Sequence, residues 1–276
     1  MKPVATLLVV MLSVTVARTQ DPALPVVDLI HRPFDAILDL HVRDGLVYYR
    51  ALKSERATLD RYVQALADTS AETMAGWTPA RQLAFWINAY NAFVLRTVID
   101  AYPIRGKAKD YPANSIRQIP GAFERRTFRA GGKTLTLDAL EKEVIGGFGD
   151  PRAVIALGRG AVGSGRLKSE AFTSQRLDGQ LATLTSELVT RRELVFVDIA
   201  NERLSVNPIF SWREPLFVKV ADRAPAVYAA RSPLERAVLS LIDPLLVPNE
   251  QEFLKKNTFK MVFGEFDWSL NDLTGR

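Results

Sequence analysis

Cysteine is absent from all 276 residues. That absence excludes a thiolate nucleophile, any disulfide and any cysteine-ligated metal. Histidine is almost absent: His31 and His41 are the only two. Two imidazoles without cysteine cannot build a histidine-rich metal centre. A carboxylate site using Asp44 or Asp267 is not excluded, but nothing in the sequence signals one, so neither metal nor cofactor is expected. Runs of like charge are missing as well. Net charge is +5, yet Arg125-Arg126 and Lys255-Lys256 are only pairs among interspersed acids. Nucleic-acid binding needs a concentrated basic face, so that class is set aside. Long apolar runs of membrane-spanning length, ~20 residues, are also missing near the N-terminus, where the stretch Val4 to Val16 falls short.

That short stretch follows Met1-Lys2 and exits through Thr15-Val16-Ala17 into polar Arg18-Thr19-Gln20-Asp21-Pro22. One basic residue, an apolar core and a small-residue exit form the pattern of a secretory signal. We expect residues 1–17 to be a signal peptide, 18–29 a polar lead-in and 30–276 one domain. Export follows, with the periplasm as the first expectation. Contact with a membrane is expected only if the leader stays uncleaved.

What the chain does have is a run without charge from Leu83 to Leu95, within LAFWINAYNAFVLRTVI, and two asparagines inside it, Asn88 and Asn91. A helix apolar on every side is buried on every side. Asparagine is costly to bury unpaired, so both amides need partners. Thr78-Pro79 supplies an N-cap and a proline at the first helical position, and Tyr102-Pro103 ends the run.

Elsewhere, helical spacing marks 34–40, 52–67 and 177–191, the last with Leu177, Leu181, Leu184 and Leu188 on one face. Ala130-Gly131-Gly132 between 123–129 and 133–137 reads as a hairpin. Asp138-x-x-Glu141 reads as a capping box for a helix to Val144, and 153–157 as a short buried strand. Strands are expected at 194–199, 203–206 and 258–263. Ser232-Pro233-Leu234-Glu235 opens a helix that Pro244 ends, and a short helix begins at Asn249. The expected fold is α+β: one helix-rich domain whose buried central helix packs against a small, mainly antiparallel sheet.

Several of these segments, in order, resemble the DUF547 family (domain of unknown function 547). Phe85-Trp-Ile-Asn88-Ala-Tyr90-Asn91-Ala resembles its hallmark helix. Asp44-Gly-Leu-Val-Tyr48, Asn114-Ser-Ile116, Leu135-Thr-Leu-Asp-Ala-Leu-Glu141, Asp150-Pro-Arg-Ala-Val-Ile-Ala-Leu157, Ile209-Phe-Ser-Trp212 and Phe266-Asp-Trp-Ser-Leu-Asn271 resemble its other landmarks. The resemblance spans roughly residues 30 to 272. This chain departs from the pattern where the family usually has histidine, at Lys142 and Val154, and where it usually has cysteines, in Gly158 to Arg166.

The candidate site residues follow from these two sources. Asn88 and Asn91 lie three apart on one helix face; they either orient chemistry or satisfy buried loop backbone. Tyr90 is expected in the core with its hydroxyl partnered. Glu141 stands at the family's glutamate. Ser164 falls near a lost cysteine, and Lys168 is the nearest base in sequence. The glycine-rich run Gly158 to Gly165 lacks the Gly-Lys-Ser/Thr of a phosphate loop. It does carry Arg159, which suits an anion. His31 and His41 are expected on the surface or in loops. Asp267 and Trp268 are expected to lock the C-terminal segment. The resemblance and its departures imply a degenerate, non-catalytic member that binds a small anionic ligand or a protein partner, with Asn88, Asn91 and Arg159 as ligand contacts. The alternative is a hydrolase or acyl-transfer enzyme built on Asn88, Glu141 and Ser164.

Overall fold

A computed structural model describes residues 28–274. The expected signal peptide, and all but the end of the polar lead-in, lie outside these residues. The chain runs α1 (Asp28–His41), β1 (Val42–Arg43), β2 (Leu46–Val47), α2 (Tyr49–Ser54), α3 (Ala57–Asp68), α4 (Ala71–Ala75) and α5 (Pro79–Ala101). A hairpin of β3 (Thr127–Ala130) and β4 (Lys133–Thr136) follows, then α6 (Leu137–Ala139), which continues as a π-helical turn over Leu140–Ile145. Next come α7 (Arg152–Ile155), α8 (Leu177–Thr190), β5 (Val195–Asp198), β6 (Arg203–Val206), α9 (Ile209–Trp212) and α10 (Glu214–Phe217). The last elements are α11 (Pro233–Ile242), α12 (Pro248–Lys255) and β7 (Lys260–Phe263).

The architecture is helix-rich α+β, as expected. β3 and β4 pair antiparallel; β5 and β6 pair antiparallel, and β7 joins β6 in parallel. α5 begins where the sequence placed it, with the Thr78 hydroxyl accepting from the Arg81 N–H and Pro79 behind it. Every residue from Leu83 to Leu95 is buried. α5 packs against α1, α2, α3 and the β3–β4 hairpin, where Phe93 stacks on Phe128 at 4.4 Å. Gly131 turns that hairpin with φ +54° and lies against Met74 and Trp86, where a side chain has no room. No described helix is long and apolar enough to cross a membrane.

Two apolar clusters form the interior. One surrounds α5; the other lies between the β5–β6–β7 sheet, α9, α10 and α11. α7 and α8 contribute to both. The Leu177, Leu181, Leu184 and Leu188 face of α8 is buried as expected. The capping box at Ser232 is also formed, Ser232 Oγ accepting from Glu235 N and Glu235 Oε2 from Ser232 N.

Four expectations need correction. Residues 52–67 are not one helix: the chain turns between α2 and α3, but Tyr49, Leu52, Leu59, Tyr62 and Leu66 stay on the buried side, so the apolar spacing carries no mark of the break. Residues 153–157 form a helical turn, not a strand. A short apolar run fits either form, and here Asp150 Oδ1 accepts from Arg152 N at 3.0 Å at the start of the turn. Asp138 caps nothing: the Thr136 hydroxyl accepts from Ala139 N, and Asp138 pairs with Lys142 at 3.0 Å. The two histidines are buried rather than in loops or on the surface. His31 faces inward from α1, with Nδ1 2.8 Å from the Tyr62 hydroxyl. Burial, with Arg81 adding to it, pushes its pKa down to about 3, so the ring is neutral at ordinary pH.

Candidate functional site

The buried amides of α5 are spent on backbone. Asn88 Nδ2 donates to Phe172 O at 2.8 Å, and Asn88 Oδ1 accepts from Phe172 N at 2.9 Å. Asn91 repeats the arrangement three residues on: Nδ2 donates to Ala156 O at 3.1 Å, and Oδ1 accepts from Gly158 N at 2.8 Å. A buried amide placed this way stands in for a missing strand neighbour and satisfies loop groups that cannot reach water. The loop at Phe172 is held on both sides. Asp35 Oδ1 of α1 accepts from Ala171 N, and Gln180 of α8 donates to Ala171 O and accepts from Thr173 N.

Glu141 sits in the π-helical turn, a backbone form often found at functional sites. The wider turn places its carboxylate, 2% exposed, among three partners. Oε1 accepts from Arg159 Nη2 at 2.6 Å and from Arg213 Nε at 2.8 Å; Oε2 accepts from the Tyr90 hydroxyl at 3.3 Å. Burial opposes ionisation of Glu141, but the two guanidiniums outweigh it and hold the pKa below the ordinary glutamate value. Burial, reinforced by the Glu141 charge, raises the Tyr90 hydroxyl well above its usual range, so it remains a donor.

Arg159 is equally enclosed, at 3% exposed. Besides Glu141, it donates from Nη1 to Leu157 O at 3.2 Å and Val154 O at 3.4 Å. It is thus a buried partner of Glu141, and an incoming anion does not reach it. Arg213 differs. It comes from the segment between α9 and α10, keeps part of its side chain in solvent, and uses Nε on Glu141 and Nη1 on Trp212 O. Its Nη2 has no hydrogen bond among the described residues.

The expected site residues therefore do not share one pocket. Glu141 forms the floor of a cleft of about 380 Å³ walled by Lys142, Trp212, Arg213 and Lys219. Ser164 lines a different cavity, of about 450 Å³, beside Arg166, Arg191 and Asn271. Asn88 and Arg159 line neither. The Ser164 hydroxyl accepts from Arg159 N at 3.1 Å, so it fixes the loop turn. Lys168 is paired with Glu187 at 2.6 Å and is not its base. Among the described residues no group of three or more His, Asp or Glu is placed to hold a metal ion.

Sequence reasoning missed Arg213 and Lys219, which belong to the second apolar cluster's half of the chain. The only signal was position: Arg213 directly follows Trp212 of the Phe-Ser-Trp landmark. The C-terminal landmark does lock the fold. Asp267 Oδ1 accepts from Ser269 N in a local turn. Asn271 accepts from the Tyr49 hydroxyl and donates to Gly45 O.

Comparison with curated proteins and with solved structures found no match. Residues 74–189 match the model of the family described as protein of unknown function, DUF547. That segment, which holds α5, Glu141, Arg159 and Ser164, is similar to the DUF547 family.

Proposed function

We propose that this protein is an exported, non-catalytic member of its family that binds a small anion in the cleft above Glu141. One observation carries the reading: a single carboxylate is shared by two guanidiniums. The buried pair Glu141–Arg159 is internally neutral, which leaves the charge of Arg213 uncompensated at the cleft mouth. Lys219 adds a second positive charge, with no ion pair or hydrogen bond among the described residues, while Lys142 is balanced by Asp138. A guanidinium and an ammonium on one concave wall favour a carboxylate or phosphate. Hydrolysis is the weaker alternative, since Ser164 lies in another cavity and its hydroxyl is hydrogen-bonded to no base among the described residues.

The test is thermal unfolding with sodium acetate or inorganic phosphate at constant ionic strength, chloride making up the difference. Both anions are expected to raise the Tm through preferential binding to the folded state. Lys219→Ala is expected to weaken the effect severalfold without lowering stability in chloride. Equal Tm values in acetate, phosphate and chloride would remove the anion site. For export, Edman sequencing of the mature protein is expected to find a start between Arg18 and Pro22; intact Met1 in the exported fraction would contradict it.

A further inference from the structure

The anion cleft has an aromatic wall, and that wall is the end of a stack. Trp212 lies nearly parallel to Trp268, with centroids 5.9 Å apart and planes at 12°. Phe266 packs against both, at 4.8 Å and 4.5 Å. The guanidinium of Arg117 lies over the Trp268 ring at 4.6 Å and over the Phe123 ring at 4.5 Å. Contacts thus run from Phe123 through Arg117 and Trp268 to Trp212, joining the loops after α5 to the C-terminal segment and α9. At Trp212 the series stops. Trp212 is 38% exposed and forms part of the cleft wall with Arg213 and Lys219. Large aromatics held rigidly at a concave, partly wet surface are efficient contact groups, because little side-chain freedom remains to be lost.

We infer that the ligand of this cleft is an aromatic carboxylate, its ring on Trp212 and its carboxylate on Arg213 and Lys219. The inference rests on the anion reading above and adds the ring. An aliphatic acid of the same charge satisfies the cations and leaves Trp212 in water. A planar ring adds another layer to the stack and buries its face. Aromatic pairing and ring burial together correspond to roughly three- to tenfold in affinity.

Benzoate, acetate, cyclohexanecarboxylate and glucuronate are the probes, each titrated into the folded protein at constant ionic strength. The readouts are calorimetric Kd and the indole N–H signals of the four tryptophans, with Trp212 assigned from Trp212→Phe. Benzoate is expected to bind three- to tenfold more tightly than acetate and to move the Trp212 signal. Trp212→Leu is expected to abolish the preference, so that benzoate and acetate bind alike, and Trp212→Phe to keep it. Benzoate and acetate binding equally, both weakened by Lys219→Ala, would overturn the aromatic ligand and leave the anion site standing. Glucuronate or cyclohexanecarboxylate binding more tightly than benzoate would also overturn it, as would a benzoate preference that survives in Trp212→Leu. No binding by any probe would remove both readings.

Discussion

Glu141→Leu is expected to destabilise the protein by roughly 3–5 kcal/mol, the range for breaking a buried ion pair by removing one partner. The cause is what remains. Arg159 is fully enclosed and has only carbonyl partners left, at Val154 and Leu157. Arg213 loses its only carboxylate partner among the described residues. Two guanidiniums then sit close together with no charge between them. Urea unfolding gives the measurement, and a loss below about 1 kcal/mol would show that water reaches Arg159. Glu141→Gln separates charge from shape. The folded-state pKa of Glu141 lies below its ordinary 4.5, so the stabilisation from its charge is complete above the unfolded value and is lost as pH falls through the folded one. The stability gap between wild type and Glu141→Gln should therefore be widest near neutral pH and narrow steadily below pH 4.5. A gap independent of pH would mean that folding leaves the pKa of Glu141 unchanged, and a gap that shrinks toward neutral pH would mean that the folded protein holds the carboxyl neutral.

This cluster also shows where the sequence was readable. Glu141 was found through the family landmark, and Arg159 through its position in the glycine-rich loop. Neither route revealed that they pair. Opposite charges 18 residues apart carry no signal unless the intervening turn is known. That turn, α7, reads as a strand in the sequence because the five apolar residues of 153–157 fit both forms. Arg213 lies 72 residues from Glu141 and was invisible for the same reason. α5, α8 and the Ser232 cap were legible because their determinants are local: spacing, a capping hydroxyl and a proline at the first turn. The buried asparagines were legible as a demand for partners. Their partners were not, because a backbone N–H or C=O is the same in every residue. His31 shows a related limit: α1 carries an apolar face that also accommodates a neutral imidazole, hydrogen-bonded by Tyr62 from α3.

The junction between the two apolar clusters explains why a charged group persists in the interior at all. Tyr90 from α5, Glu141 from the π-helical turn and Arg213 from the α9–α10 segment meet there. A buried ion pair adds little net stability over apolar packing, but its geometry is specific. Here it fixes the position of Arg213, whose Nη1 also donates to the main-chain Trp212 O. The cleft's guanidinium is thus positioned by one carboxylate.

Asn88→Leu tests whether the most conspicuous residue of the sequence is scaffold or site. Leucine suits α5 better than asparagine does, by propensity and by burial, so any loss measures the lost clamp. The substitution leaves Phe172 N–H and C=O without partners in an interior where water does not reach them. Each unsatisfied group costs about 1–3 kcal/mol, so the expected loss is roughly 2–6 kcal/mol in urea unfolding. Asn88→Asp keeps the shape and the acceptor for Phe172 N, but turns its second oxygen toward Phe172 O. It should be nearly as costly at neutral pH and recover as pH falls and the carboxyl regains a donor. The loop itself stays tethered by Asp35 and Gln180, so both variants are expected to fold below their lowered midpoints. Under those conditions acetate affinity in the cleft should match wild type, because Asn88 does not line it. Wild-type stability with lost acetate binding would reverse the assignment and return Asn88 to the ligand site.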